Sequence, residues 1–120
     1  MNYVFVCRHG ISRSYHASCI AQEIAAGRGI SLDTEFFGTV SDEPELEKMR
    51  KLAGAHRAYV MEEYMRPAVQ ALGYTGPVAC LHIPDTALSY ETIRGKMEQL
   101  DFSPLAPPED PWILRFAYME

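Results

Sequence analysis

Cysteine is scarce in this chain of 120 residues. Cys7, Cys19 and Cys80 are odd in number and widely spaced, which excludes a disulfide framework and favours a reducing, cytoplasmic setting. Long apolar runs are missing too. Nothing approaches membrane-spanning length, and the first strand-like stretch is too short and too soon followed by charge to be a signal peptide. There is no excess of positive charge. The formal net charge of −5 argues against a general affinity for nucleic acid or an anionic membrane, so neither is expected as a partner. No internal repeat or low-complexity segment is present. The four histidines (His9, His16, His56, His82) have no ligand-like spacing, so no metal or other cofactor is expected, and each reads as a surface or polar core residue.

What is there reads as an ordinary globular domain, with 48% hydrophobic and 22% charged residues. Residues 1–100 are expected to form the domain and 101–120 a proline-rich tail. That tail carries Pro104, Pro107, Pro108 and Pro111, and its Trp112-Ile113-Leu114 is expected to pack back on the domain.

Strand and helix alternate along the domain. Tyr3-Val4-Phe5-Val6-Cys7 is apolar and rich in β-formers, as a buried strand is. Ala17, Ile20, Ala21, Ile24 and Ala25 recur at helical spacing before Gly27 and Gly29. Thr34-Glu35-Phe36-Phe37 predicts a second strand. Asp42 with Glu45 predicts a helix start, with Leu46, Met49 and Ala53 as the buried stripe and Glu45, Glu47, Lys48, Arg50 and Lys51 as the solvated face. Ala58-Tyr59-Val60-Met61 predicts a third strand, followed by a turn and a helix beginning near Pro67. Residues 78–83 predict a fourth strand with Cys80 in the core. Ser89 can then cap a last helix whose inner face is Ile93, Met97 and Leu100. Such a chain builds a three-layer, flavodoxin-like α/β fold with a four-stranded parallel sheet, order 2-1-3-4, and helices on both faces. Ligands of such sheets bind outside the carboxyl ends of the strands, where strand order reverses; here that is the end of the first strand.

Cys7 falls at that point. It enters Arg8-His9-Gly10-Ile11-Ser12-Arg13-Ser14, directly ahead of a helical pattern. A cysteine, five residues, then Arg-Ser is a loop long enough to wrap a tetrahedral oxyanion with inward-pointing N–H groups. The helix behind it adds free donors and the positive end of its dipole. Arg13 can make a bidentate contact to two phosphate oxygens. A thiolate is the nucleophilic form of cysteine, and such a field favours it, so Cys7 is the candidate nucleophile. Residues Arg8, His9, Gly10, Ile11, Ser12, Arg13 and Ser14 are the candidate phosphate-binding loop.

This stretch fits the cysteine phosphatase signature C-x-x-G-x-x-R-S. Only six residues precede Cys7, so a general acid must lie downstream. In that order the chain resembles the low-molecular-weight protein tyrosine phosphatases, and most closely a short bacterial branch of them. Phe37-Gly38-Thr39 resembles the family's Ser-Ala-Gly-Thr strand end, and Val60-Met61-Glu62 its third strand. The resemblance covers most of residues 2–100. It departs where His9-Gly10 replaces the usual Gly-Asn, where Ser12 replaces a second cysteine found in many members, and where Thr86 follows Asp85 instead of proline.

The resemblance implies hydrolysis of phosphotyrosine or a similar aryl phosphate through a phosphocysteine, with a phosphorylated protein or small phosphate ester as partner. It implies Asp85 as general acid, with Asp110 as the alternative, and Ser14 as hydrogen-bond donor to the thiolate. Tyr90 is a nearby aromatic in place of the one the family carries just after its acid aspartate.

Two other readings use the same residues. Arg8-His9-Gly10 also resembles the histidine phosphatases, with His9 as nucleophile and His82 as second histidine. Alternatively, the loop is a phosphate-binding module without turnover. Arsenate reduction needs a closely spaced downstream cysteine pair, and only Cys80 is available.

Overall fold

The strand β1, Asn2–Cys7, is central because nothing between Tyr3 and Cys7 needs water on either face. All five of these residues are buried, as expected of a parallel strand covered on both sides. The structure is a computed structural model that describes residues 1–10, 13–84 and 90–99. β1 pairs in parallel with β2, Asp33–Gly38, on one side and β3, Arg57–Val60, on the other; β3 then pairs with β4, Val78–Cys80. The order is β2-β1-β3-β4, as the sequence predicts. The register sets Cys7 opposite Gly38 and Val6 opposite Val60, so the crevice opens beside the sulfur-bearing end of β1.

The helix α1, Arg13–Gly27, lays Ala17, Ile20, Ala21, Ile24 and Ala25 on the sheet. It stops through paired bonds, Ile30 N–H to Ala25 O at 2.8 Å and Gly29 N–H to Ala26 O at 3.1 Å, with Gly29 left-handed at φ 75°. That is a Schellman closure, and only a residue without Cβ adopts it freely. The helix α4, Tyr90–Met97, packs beside α1 through buried Ile93 and Met97 and the Arg94–Glu23 ion pair at 2.6 Å.

Four local expectations need correction. The helix α2 is Glu45–Ala53, with Pro44 rather than Asp42 at its N-cap and no side-chain cap bond. Its inward face is also not the predicted one: Leu46 is 78% exposed, while Lys48 at 7% and Leu52 are buried. The Lys48 ammonium donates to the carbonyls of Thr39 and Ser41 at 3.5 and 3.4 Å, which gives the lysine a reason to face inward. β4 is shorter than residues 78–83. Leu81 and Ile83 still donate to Val60 and Met61, but between them His82 turns left-handed at φ 56° and breaks the extended chain. Cys80, expected in the core, is half-buried at this outer strand. After β3 the chain makes a 3-10 turn, Glu63–Met65, and the helix α3, Arg66–Ala71, with Pro67 in its first turn where a missing N–H costs nothing. The expected tail, residues 101–120, lies outside the described residues.

Candidate functional site

The site grows from the place where β1 runs out. Beyond Cys7 the chain cannot continue as strand, because it is tied sideways to the end of β2. Thr39 N–H donates to Cys7 O and Val40 N–H to Arg8 O, both at 2.9 Å. Gly10, at φ +75°, then presses its backbone against Gly38. A Cβ on Gly10 would stand 2.5 Å from Gly38 N, and one on Gly38 would stand 2.2 Å from His9 C. Two glycines are therefore needed for the loop to cross the strand end at this separation.

This crossing turns the loop back over the sulfur. Cys7 Sγ is held 3.1 Å from the Gly10 N–H, which donates to it, and 3.1 Å from the Ser14 hydroxyl. Cys7 is only 3% exposed, at the floor of the loop. The Gly10 amide donates to the sulfur and the Ser14 hydroxyl is able to, so both can turn the positive end of a dipole toward it. Arg8 and His9 are exposed at the rim.

Arg13 is the first residue of α1, and its side chain is drawn inward to 2% exposure. Nη1 donates to Glu62 Oε1 at 2.8 Å and to the Ile83 carbonyl at 2.6 Å. A guanidinium buried this deeply needs an anionic partner, and Glu62, just past β3, supplies it. Glu62 was not among the residues singled out from sequence for a role. Its only local signal is an acid at a strand end on the same edge of the sheet as Cys7.

The structure thus brings together Cys7, Gly10 and Ser14 of the predicted loop, while the guanidinium of Arg13, one residue before Ser14, bonds to Glu62 and Ile83. Ile11, Ser12, Asp85 and Asp110 lie outside the described residues. His9 and His82 follow strands separated by β3. His82 instead stands beside Cys80, with Nδ1 3.6 Å from Sγ. Among the described residues no helix is long and apolar enough to cross a membrane. A cavity of about 650 Å³ lined by Leu52, Ala55, Leu72 and Tyr74 lies at the opposite, amino-terminal end of the strands, away from Cys7.

No family model and no curated protein matches the chain in sequence. Solved structures do match in fold. A low-molecular-weight protein tyrosine phosphatase from Bacillus subtilis superposes with a TM-score of 0.64 at 13% identity, covering 82% of this chain and 93% of its own. One from Vibrio cholerae O395 gives 0.63 at 12%, covering 82% and 88%. The arginine phosphatase YwlE, in a mutant form with a phosphorylated active-site serine, gives 0.63 at 15%, covering 82% and 87%. The chain has the flavodoxin-like fold of these low-molecular-weight phosphatases.

Proposed function

We propose that the chain is a cysteine-dependent phosphomonoester hydrolase, similar to protein tyrosine phosphatases, acting on phosphotyrosine or a like aryl phosphate through a phosphocysteine. The observation that carries this reading is the Cys7 sulfur held under the Gly10 amide and the Ser14 hydroxyl, with Arg13 opening the next helix. The fold shared with tyrosine phosphatases supports it, and so does the strand-reversal position of Cys7.

In the first step the Cys7 thiolate attacks phosphorus opposite the leaving oxygen. The P–O bond breaks, and the departing phenolate takes a proton from Asp85. Arg13 and the loop N–H groups hold the equatorial oxygens as charge moves through them. In the second step the Asp85 carboxylate takes a proton from water, whose oxygen attacks phosphorus. The P–S bond breaks, inorganic phosphate leaves, and the thiolate is restored, its departure eased by the Ser14 hydroxyl. Asp85 holds its role through the family resemblance alone. The setting we infer is the reducing cytoplasm, where a catalytic thiol stays free.

The test is hydrolysis of p-nitrophenyl phosphate, a phosphotyrosyl peptide and a phosphoarginyl peptide. The proteins compared are wild type, Cys7→Ser, His9→Ala and Asp85→Asn. Turnover of the aryl esters by wild type, none by Cys7→Ser and an about 100-fold slower kcat for Asp85→Asn are expected. An active Cys7→Ser with a dead His9→Ala would transfer the chemistry to His9. Phosphopeptide binding without phosphate release would make the loop a recognition module. Preference for phosphoarginine would reassign the substrate and keep the cysteine chemistry.

A further inference from the structure

Away from the phosphate loop, three side chains of different donor chemistry meet. Glu63 begins the 3-10 turn after β3, Cys80 ends β4, and His82 follows it. One ligand atom from each lies within 4.8 Å of the other two. Cys80 Sγ and His82 Nδ1 are 3.6 Å apart. In a tetrahedral zinc site, with Zn–S near 2.3 Å and Zn–N near 2.0 Å, the sulfur–nitrogen edge is about 3.5 Å. The pair already stands at the separation that a shared dication would impose.

The third donor is also held in place. Arg66 grips the Glu63 carboxylate with Nε to Oε1 at 2.9 Å and Nη2 to Oε2 at 3.2 Å, and anchors itself through Nη1 to Val78 O at 2.6 Å. Each oxygen keeps a lone pair. Holding a ligating carboxylate in one orientation is what outer-shell hydrogen bonds do in metal sites. His82 is held beside Cys80 with its backbone left-handed at φ 56°. A residue with a side chain rarely adopts that conformation, and such outliers gather at functional positions. Glu63 and His82 are exposed, so an ion can enter from solvent and keep a water.

We propose that Glu63, Cys80 and His82 form a binding site for a zinc-class dication, with water as the fourth ligand. A thiolate–imidazole–carboxylate set suits zinc or cobalt and not the hard cations magnesium and calcium. On binding, the Cys80 S–H bond breaks, a metal–sulfur bond forms and the proton passes to solvent; nothing is oxidised or reduced. Glu62 and Ile83, which hold Arg13, are the chain neighbours of Glu63 and His82, so an ion here would sit one residue from both anchors.

The site stands whether or not the chain is a phosphatase, because its test reads metal and not turnover. The full chain is titrated with Co²⁺, following the thiolate-to-cobalt absorption band, and bound Co²⁺ is then displaced with Zn²⁺. One equivalent of Co²⁺ with a thiolate band is expected. The band should vanish in Cys80→Ser, and the midpoint should weaken about 10-fold or more in Glu63→Gln and in His82→Asn, which tolerates the left-handed backbone. Cys7→Ser should keep the full band. Circular dichroism reports whether each variant is folded, and the two weaker variants decide if Cys80→Ser is not. The proposal is overturned if wild type gives no saturable band, if the band survives in folded Cys80→Ser, or if it disappears in Cys7→Ser.

Discussion

The helices α1 and α2 bury different kinds of side chain, and the difference follows from what each must cover. α1 lies over β1 and β2 and meets them mostly with alanine and isoleucine, with Ser18 as a polar contact to the Thr34 hydroxyl of β2. α2 lies beside the turn after β2, where the carbonyls of Phe36, Thr39 and Ser41 need donors. It meets them with lysine: Lys51 reaches Phe36 O at 2.8 Å and Lys48 reaches the other two. A carbonyl left without a donor at such a half-buried turn carries a cost comparable to the gain from burying one leucine, and here lysine meets that polar demand. The turn that α2 braces is the one whose amides bond Cys7 O and Arg8 O. The α2 side of the molecule is therefore the underside of the candidate site.

Substitutions can break this contrast or sharpen it. The largest effect is expected where the two regions touch. Gly38→Ala places a methyl into the His9 backbone and should cost about 4 kcal/mol and most of any phosphatase activity, read by thermal melts and p-nitrophenyl phosphate assays. Leu52→Ala, at the one apolar anchor of α2, should cost about 3 kcal/mol in urea unfolding. Lys48→Met keeps the buried stem and removes the ammonium. A loss of about 1 kcal/mol with a lowered kcat is expected, whereas greater stability would mean that the two carbonyls need no donor. Leu46→Ala should change stability by no more than about 0.5 kcal/mol, and a core-sized loss would restore the apolar stripe as the buried face.

Much of the fold could be read from local chemistry. The unbroken apolar run of β1 marks a central parallel strand, and strand–helix alternation leads to the order that the sheet adopts. The spacing of Cys7 and Ser14 marks the loop because those residues are near in sequence as well as in space. What could not be read depends on distant pairing. No property of Glu62 alone says that Arg13 will reach it. Gly38 looks like a strand terminator until Gly10 is found against it. Glu63, Cys80 and His82 have no metal-binding spacing, and only the parallel pairing of β3 with β4 brings them together. The reversed face of α2 was hidden because hydropathy ranks lysine as solvent-seeking whatever carbonyls lie in reach.

The inward tether of Arg13 bears on how an oxyanion would be received. A free arginine side chain surrenders about 2 kcal/mol of rotational freedom when it is first immobilised. Here Glu62 and Ile83 fix it as the chain folds, so that loss belongs to the folding transition and not to ligand capture. Under the proposed function, a dianion held by Arg13 would therefore meet a cation that has already stopped moving.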